Sequence, residues 1–258
     1  MKDMGIRDKV AIITGATSGI GKATAYAFAH EKAKVILLAR DRKMLEEITS
    51  DLKNRYGAAY FFAADLCDVE KIKQAVRYTV DIFGGIDVLV NSAGIIGSGS
   101  IESTSLSEWD EMMNINLRSI FFLCQTALPY LIERKGNIVN VSSVTGLRAF
   151  PNVFAYCVSK AGLDQFTRCA ALELAAKGVR VNAVNPGVTL TQLHRRGGMD
   201  DKSYQAFLER SQETHPLGRV GNPDEIADLI LYLASPRAGW ITGVTYSIDG
   251  GRAQTCAR

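Results

Sequence analysis

No stretch of this chain is apolar for long enough to suggest a bilayer span. The longest charge-free run in its middle, Ser119 to Ile132, covers 14 residues and is interrupted by Gln125, Thr126 and Pro129, whereas a membrane helix needs about 20 apolar residues. The opening ten residues, MKDMGIRDKV, carry charges through Lys9, where a secretion signal would place its apolar core. Secretion is therefore not expected, and the expected location is cytoplasmic. Cysteine is scarce and unpatterned: five residues (Cys67, Cys124, Cys157, Cys169, Cys256) with no C-x-x-C spacing. They read as reduced thiols, so neither a disulfide framework nor a bound metal is expected. A surplus of one charge is also missing. Thirty Lys+Arg against 27 Asp+Glu leave a net +3, which argues against nucleic acid or an anionic membrane surface as a partner. There is no low-complexity tract, no fixed-period repeat and no Pro/Gly linker. The 258 residues, 47% of them hydrophobic, are accordingly read as one domain over residues 1–258.

What the chain does contain is alternation. Short apolar runs alternate with longer amphipathic stretches, the pattern of βαβ units around a parallel sheet. Strands are predicted at Val10 to Thr14, Val35 to Ala39, Tyr60 to Ala64, Val88 to Asn91, Ile138 to Ser142, Val179 to Val184 and Thr245 to Asp249. Between them Leu45, Ile48 and Leu52, and likewise Val69, Ile72, Val76 and Val80, recur at helical spacing and can lay an apolar stripe on a sheet. Right-handed crossovers then give an α/β fold class, a Rossmann-type doubly wound parallel sheet of about seven strands. From Pro186 to about Gly221 the alternation stops, with no strand and one or two short helices expected. The cluster His194, Arg195, Arg196, Gly197, Gly198 looks exposed and has no obvious acidic partner in sequence. Such an insertion reads either as a mobile substrate-binding loop, over residues 188–218, or as a solvated excursion.

The first strand runs into Thr14-Gly15-Ala16-Thr17-Ser18-Gly19-Ile20-Gly21, followed by a helical pattern through Ala23, Ala27 and Phe28. Glycines let the backbone bend and approach a phosphate, and free N–H groups at the helix start offer partial positive charge to a pyrophosphate. The spacing is G-x3-G-x-G, and tight turns need glycine anyway. Its place after the first strand of a βαβ unit selects the dinucleotide reading. About 20 residues on, the second strand should end beside the adenosine ribose, here at Ala39-Arg40-Asp41. An acid would accept from a free 2′-hydroxyl; an arginine offers a donor fork to a 2′-phosphate. Ala39 leaves room and Arg40 supplies charge, which favours NADP(H). A slip in register would give Asp41 the acidic role and make NAD(H) the cofactor, and a solvated loop arginine is the other reading of Arg40.

Further along stand Asn91-Ser92-Ala93-Gly94, Asn116, Ser142-Ser143 and Tyr156-Cys157-Val158-Ser159-Lys160. Residues i and i+4 share a helix face, so the Tyr156 phenol and the Lys160 ammonium can sit side by side. A nearby cation favours phenolate and is expected to lower the tyrosine pKa from its usual value near ~10. With nine tyrosines in the chain, chance alone supplies roughly half a Tyr-x3-Lys pair. Ser143 would lie at the carboxyl end of its strand, able to donate to a substrate oxygen, or it is simply a helix cap; Asn116 is equally open to an exposed or locally bonded role.

Taken together, TGATSGIG, NSAG, Asn116 within NINL, Ser143 13 residues before Tyr156, YCVSK, the NPG at Asn185 to Gly187 and the DGG at Asp249 to Gly251 resemble, in order and spacing, the short-chain dehydrogenase/reductase family. The resemblance covers nearly the whole chain. It implies that Asn116, Ser143, Tyr156 and Lys160 are the catalytic set. It implies cofactor contacts from the glycine turn (Gly15, Thr17, Ser18, Gly19, Ile20, Gly21), from Arg40, from Asp65 and Leu66, and from Asn91, Ala93 and Gly94. Tyr156 and Lys160 themselves, and the run Pro186, Gly187, Val188, Thr189 with Thr191, complete them. Ser92 stands where many relatives have a second asparagine. Ser18 replaces the basic residue of some NADP(H)-using relatives, which leaves the 2′-phosphate to Arg40 with Arg42 in support.

By the same resemblance, hydride passes between the nicotinamide and a carbonyl carbon while Tyr156 gives a proton to the oxygen and Ser143 stabilises its charge. Lys160 lowers the tyrosine pKa and binds the nicotinamide ribose, and Asn116 holds a water linking Lys160 to solvent. The expected activity is an NADP(H)-dependent carbonyl reductase, oxoacyl or ketosteroid-like. Which substrate it takes depends on where Ile95, Ile96, Arg148, Phe150, Phe154 and the loop after Pro186 fall, and these residues read either as pocket walls or as ordinary packing. The alternatives are an NAD-dependent secondary-alcohol dehydrogenase, a non-catalytic nucleotide-binding sensor or scaffold, which would usually have lost the tyrosine or lysine, and an epimerase or dehydratase, for whose substrate domain there is hardly room. The expected partners are a small-molecule carbonyl or alcohol substrate and further copies of the chain in a homotetramer, with no nucleic acid and no membrane. The tetramer is supported by Ser107 to Arg134 and Phe154 to Lys177, helical stretches richer in apolar residues than one sheet face requires.

Overall fold

Strands buried on both faces need apolar residues at every position, and the first predicted run meets that condition, with all of Val10 to Thr14 buried. The computed structural model describes residues 4–255, and Cys256 lies outside them. Seven parallel strands, β1 (Val10–Thr14), β2 (Lys34–Ala39), β3 (Ala59–Ala63), β4 (Val88–Asn91), β5 (Asn137–Val141), β6 (Arg180–Pro186) and β7 (Thr245–Ile248), form one sheet. Their order is β3-β2-β1-β4-β5-β6-β7. Every predicted run is a strand, with ends displaced by at most two residues.

The helices are α1 (Gly19–His30), α2 (Arg42–Tyr56), α3 (Val69–Phe83), α4 (Leu106–Met113), α5 (Ser119–Arg134), α6 (Val144–Leu147), α7 (Phe154–Leu174), α8 (Leu193–Arg196), α9 (Asp201–Thr214) and α10 (Pro223–Ala234). Successive strand residues face opposite sides, so Ala11, Ile13, Val35 and Leu37 meet Phe28 of α1, Leu45 of α2 and Ile230 of α10. Ile12, Ile36 and Leu38 meet Ile72 of α3, Leu123 of α5 and Leu163 of α7 on the other side. The expected stripe of α2 (Leu45, Ile48, Leu52) is buried as read.

Two expectations need correction. The stretch 107–134 is not one regular helix: a π turn over Asn114–Arg118 joins α4 to α5, with the Ser119 N–H donating to the Asn114 carbonyl. By length and composition alone Leu106–Arg134 passes for a membrane-crossing helix, yet Leu123, Ala127 and Leu131 pack it on the sheet. The region after Pro186 contains one short helix, α8, and one of 14 residues, α9. Asp200 starts α9 by accepting from Ser203 N at 2.9 Å, a cap that sets a longer helix than expected.

Candidate active site

The strand order reverses between β1 and β4, so the loops after them part at the carboxyl edge of the sheet, where ligands of open α/β sheets lie. Thr14 closes the floor of this crevice. Its Oγ1 accepts from the N–H groups of Ser92 (2.9 Å) and Ala93 (3.0 Å) and donates to the Val90 carbonyl (3.4 Å). The glycine turn is closed to side chains. A Cβ on Gly15, where φ is +65°, would stand 2.9 Å from Ala93 Cα, and one on Gly21 would stand 2.5 Å from the Gly15 carbonyl oxygen. Ser18 caps α1 without a side-chain hydrogen bond, which leaves the first N–H groups of a 12-residue helix to an anion. Thr191 folds back onto this turn, its methyl 2.9 Å from where a Cβ on Gly19 would be. Thr17 and Ile20 are half-buried within the turn. The residues present thus fit a dinucleotide.

At the end of β2 the register question resolves itself. Arg40 is exposed directly after Ala39, while Asp41 is the N-cap of α2 and accepts from Met44 N at 3.0 Å. Arg42 lies over the Phe61 ring at 5.6 Å and 3.5 Å from Glu46, so its expected support for Arg40 is not seen. Asp65 stands exposed after β3 and accepts from Cys67 N at 2.9 Å; Leu66 packs into the core. The Asn91 amide donates to Asn140 Oδ1 at 2.8 Å and to Cys124 Sγ at 3.4 Å, so its side chain anchors the start of the β4 loop from within the protein. Ala93 and Gly94 remain at the crevice, with a Cβ on Gly94 falling 3.2 Å from Asn116 Oδ1 and 3.6 Å from Lys160 Nζ.

Around that point the four expected catalytic residues gather. Tyr156 and Lys160 occupy one face of α7, with Nζ 5.7 Å from the phenol ring centroid, and both are buried. Ser143, just past the end of β5, caps α6 by accepting from Thr145 N at 3.1 Å, and its hydroxyl also acts on the Tyr156 phenol. Asn116, placed by the π turn, does not look out to solvent. Its Oδ1 accepts from Ile95 N (2.9 Å), and its amide donates to the Ile95 carbonyl (3.0 Å) and to Ser159 Oγ (3.1 Å). Its side chain thereby ties the β4 loop to α7. A π turn is a frequent mark of functional sites because it re-aims one residue in a helix.

The electrostatics differ from the sequence expectation. Burial pushes the Tyr156 phenol up to about 12, against a smaller lowering by Ser143. Burial pulls Lys160 down to about 8, partly offset by Asp164. The lysine therefore does not bring the tyrosine below its usual value: desolvation of the phenol dominates, while one Nζ–H of Lys160 is held by the Val141 carbonyl at 2.8 Å.

Several functional neighbours escaped the sequence reading. Asp164, buried one turn beyond Lys160, accepts from Asn185 Nδ2 at 2.8 Å, and the same amide donates to the Ser143 carbonyl at 2.9 Å. This clamp fixes Ser143 relative to α7. Only the spacing of Asp164, four after Lys160, could have signalled it. His215, buried before Pro216, donates from Nδ1 to the Ser211 carbonyl at 2.6 Å and accepts at Nε2 from Val188 N at 3.1 Å. Thr189 is buried and donates to the Gly187 carbonyl at 3.2 Å, and Pro186 ends β6.

The pocket walls sort differently. Ile95 and Ile96 pack with Met112, Ala155 and Tyr156, and Phe154 lies 5.9 Å from Trp109. Arg148 turns away to donate to the carbonyls of Arg252, Ala253 and Thr255, and Phe150 lies under Arg252 at 5.0 Å. The loop cluster is also corrected. Arg195 has an acidic partner, Asp201 at 2.8 Å, and covers the Tyr204 ring at 4.2 Å; His194 is half-buried 4.5 Å from Phe207. Gly197 approaches the Ile96 carbonyl, 2.8 Å from an added Cβ, and Gly198 has φ +95°. A cavity of about 610 Å³ runs from Gly19 along Lys22, Tyr26 and Asp51 beneath Arg195 and Tyr204; it lies beside α1, away from Tyr156.

Residues 15–253 match the family model described as enoyl-(acyl carrier protein) reductase. The chain is 39% identical over 249 residues to the 3-oxoacyl-[acyl-carrier-protein] reductase FabG of Thermotoga maritima, covering 96% of this chain and 99% of that one. It is 34% identical to the cyclohexanol dehydrogenase of an Acinetobacter species, covering 94% of each. The L-sorbose reductase of Gluconobacter frateurii, solved with NADPH and L-sorbose, superposes with a TM-score of 0.91 at 32% identity over 98% of this chain and 99% of that one. With matches of this length to reductases and alcohol dehydrogenases alike, the chain belongs to the short-chain dehydrogenase/reductase family and is an oxidoreductase acting on CH-OH/C=O groups.

Proposed function

We propose that the protein is an NADP(H)-dependent carbonyl reductase, and the observation that carries this is the convergence of Tyr156, Lys160 and Ser143 on the crevice that the glycine turn opens. The cofactor supplies hydride to the carbonyl carbon. The N–H groups at the start of α1 bind the pyrophosphate, and Arg40, with Asp41 committed to capping, binds the 2′-phosphate. Tyr156, held protonated by burial, donates its proton to the substrate oxygen, and the Ser143 hydroxyl donates a hydrogen bond to the same oxygen as charge develops. Lys160 orients the nicotinamide ribose and places positive charge beside the phenolate that remains. Asn116 and Asp164 act at one remove, by fixing the β4 loop and Ser143. The Pro186, Gly187, Val188, Thr189 and Thr191 run contacts the nicotinamide end, and Asp65, Leu66, Ala93 and Gly94 contribute through the loops after β3 and β4.

Residues 188–218 form the cover of the substrate site, and an oxoacyl or ketosteroid-like ketone suits the apolar wall of Ile95, Ile96 and Met112. The working assembly is a homotetramer in the cytoplasm, without nucleic-acid or membrane partners; Leu106, Phe121, Val158 and Leu172 lie exposed on the long helices and suit helix packing between copies. Sedimentation as a monomer at micromolar concentration would contradict this assembly. The function is tested by following NADPH oxidation with oxoacyl thioesters, ketosteroids, diketones and quinones. Turnover of none of these classes, or faster turnover with NADH, overturns the corresponding half of the proposal.

A further inference from the structure

Val188 stands just past β6, in the run assigned above to the nicotinamide end of the cofactor, and its backbone is fully engaged. Gly187 N–H donates to the Ile248 carbonyl at 3.1 Å, and the Val188 carbonyl accepts from Gly221 N at 2.9 Å. The remaining donor, Val188 N–H, is met by a side chain, the imidazole of His215 at 3.1 Å. That imidazole belongs to the residue closing α9, and its other nitrogen lies 2.6 Å from the Ser211 carbonyl in the last turn of the helix. The partners fix the tautomer. A backbone N–H can only donate, so Nε2 presents its lone pair; a carbonyl can only accept, so Nδ1 carries the proton. The fit is close, since a Cβ on Gly187 would stand 2.8 Å from Nε2.

We propose that His215 is a positioning residue for cofactor binding: its neutral imidazole holds the Val188 N–H and thereby fixes the segment 187–189, and with it the end of α9, in the shape that receives the nicotinamide half of the dinucleotide. The inference rests on the nicotinamide cofactor proposed above. It follows that a doubly protonated ring breaks the arrangement, because Nε2–H would then face Val188 N–H. Burial holds the imidazole below its ordinary pKa, so the neutral form persists at neutral pH and is lost on acidification. The charged groups facing the ring are Asp249, which favours protonation, and Arg252, which opposes it. Arg219 and Glu225, paired at 2.6 Å, line the same small cavity.

The test compares whole and half cofactors by calorimetric titration of the full-length protein, using NADPH against 2′,5′-ADP, with NADH against ADP in parallel. His215→Leu removes the acceptor; His215→Gln keeps an acceptor oxygen at the same reach but cannot titrate. At pH 7.5 the leucine variant should bind NADPH about tenfold more weakly with 2′,5′-ADP affinity within twofold of the native protein, and the glutamine variant should bind both like the native protein. Between pH 7.5 and 5 the native preference for NADPH over 2′,5′-ADP should fall relative to that of His215→Gln; the half cofactor cancels the titration of the 2′-phosphate, and the glutamine variant cancels that of the half cofactor's own 5′-phosphate. Unchanged NADPH affinity in His215→Leu, or an equal acid loss of that preference in His215→Gln, overturns the inference. If the leucine variant does not fold, the glutamine comparison decides alone. Failure of the native protein to bind any of the four probes instead refutes the cofactor reading on which the inference stands.

Discussion

Lys160 offers a sharp quantitative test because its environment makes its charge costly. Its ammonium is buried beside Tyr156, with Val141 carbonyl as the acceptor and a pKa drawn from 10.5 down to about 8. For a lysine whose folded pKa lies below its unfolded one, the stability contribution is fully present above pH 10.5 and is lost as pH falls through about 8. At 1.36 kcal/mol per unit, a folded value of about 8 against an unfolded 10.5 makes the native protein gain about 2 kcal/mol between pH 7 and 9.5 from this residue. Tyr156, raised to about 12, works in the opposite direction but contributes little below pH 10 and is common to both proteins compared. Lys160→Met removes the titrating group at similar length. Its absolute stability at pH 7 also contains the lost hydrogen bond to Val141, so the diagnostic quantity is the change in the native-minus-variant difference. Urea unfolding at pH 7 and pH 9.5 should show that difference moving by about 2 kcal/mol in favour of the native protein. A difference that stays constant within about 0.5 kcal/mol would mean that Lys160 is not held as a destabilised cation, and the argument from burial would fail.

Tyr156→Phe should lower carbonyl reduction by a factor on the order of 100 or more while leaving NADPH affinity intact, as steady-state and binding measurements would show; near-normal turnover sinks the proton-donor role. Ala39→Asp combined with Arg40→Leu should reverse a preference for NADPH over NADH, read as the ratio of kcat/KM values, and an unchanged ratio would take Arg40 out of the site. Arg195→Ala should leave the ratio of activity on an acidic and a neutral substrate of equal size unchanged, because Asp201 already holds that guanidinium; a large fall in the ratio would show the arginine reaching the substrate. Asp164→Leu should lower kcat with little effect on cofactor affinity, since it frees Asn185 and with it the Ser143 carbonyl, and Asp164→Asn, which keeps an acceptor oxygen, should restore most of the loss.

Local chemistry was enough to read the frame of this protein. Buried parallel strands demand apolar residues throughout, so β1 and β2 show themselves as runs, and the glycines of the first turn are required by a close approach that admits no side chain. The spacing of Tyr156 and Lys160 on one turn of helix likewise places them on a common face from sequence alone. What sequence could not decide depends on residues far apart in the chain. Asp41 looked as able as Arg40 to meet a ribose until α2 began on it and took its carboxylate as a cap. Asn91, legible as part of a motif, turns inward because Asn140 of the neighbouring strand offers its carbonyl oxygen there. The tyrosine pKa rises instead of falling because the shielding of α7 from water is a property of the packed whole, and no spacing rule reports desolvation. His215 meets Val188 across 27 residues, and Arg195 finds Asp201 only once α8 and α9 fold against each other. Period and composition thus determined which segments form the sheet and its covering helices, while the tertiary structure decided which polar groups are consumed by one another and which remain for a ligand, since a hydrogen bond is settled by what lies within 3 Å and not by what lies nearby in sequence.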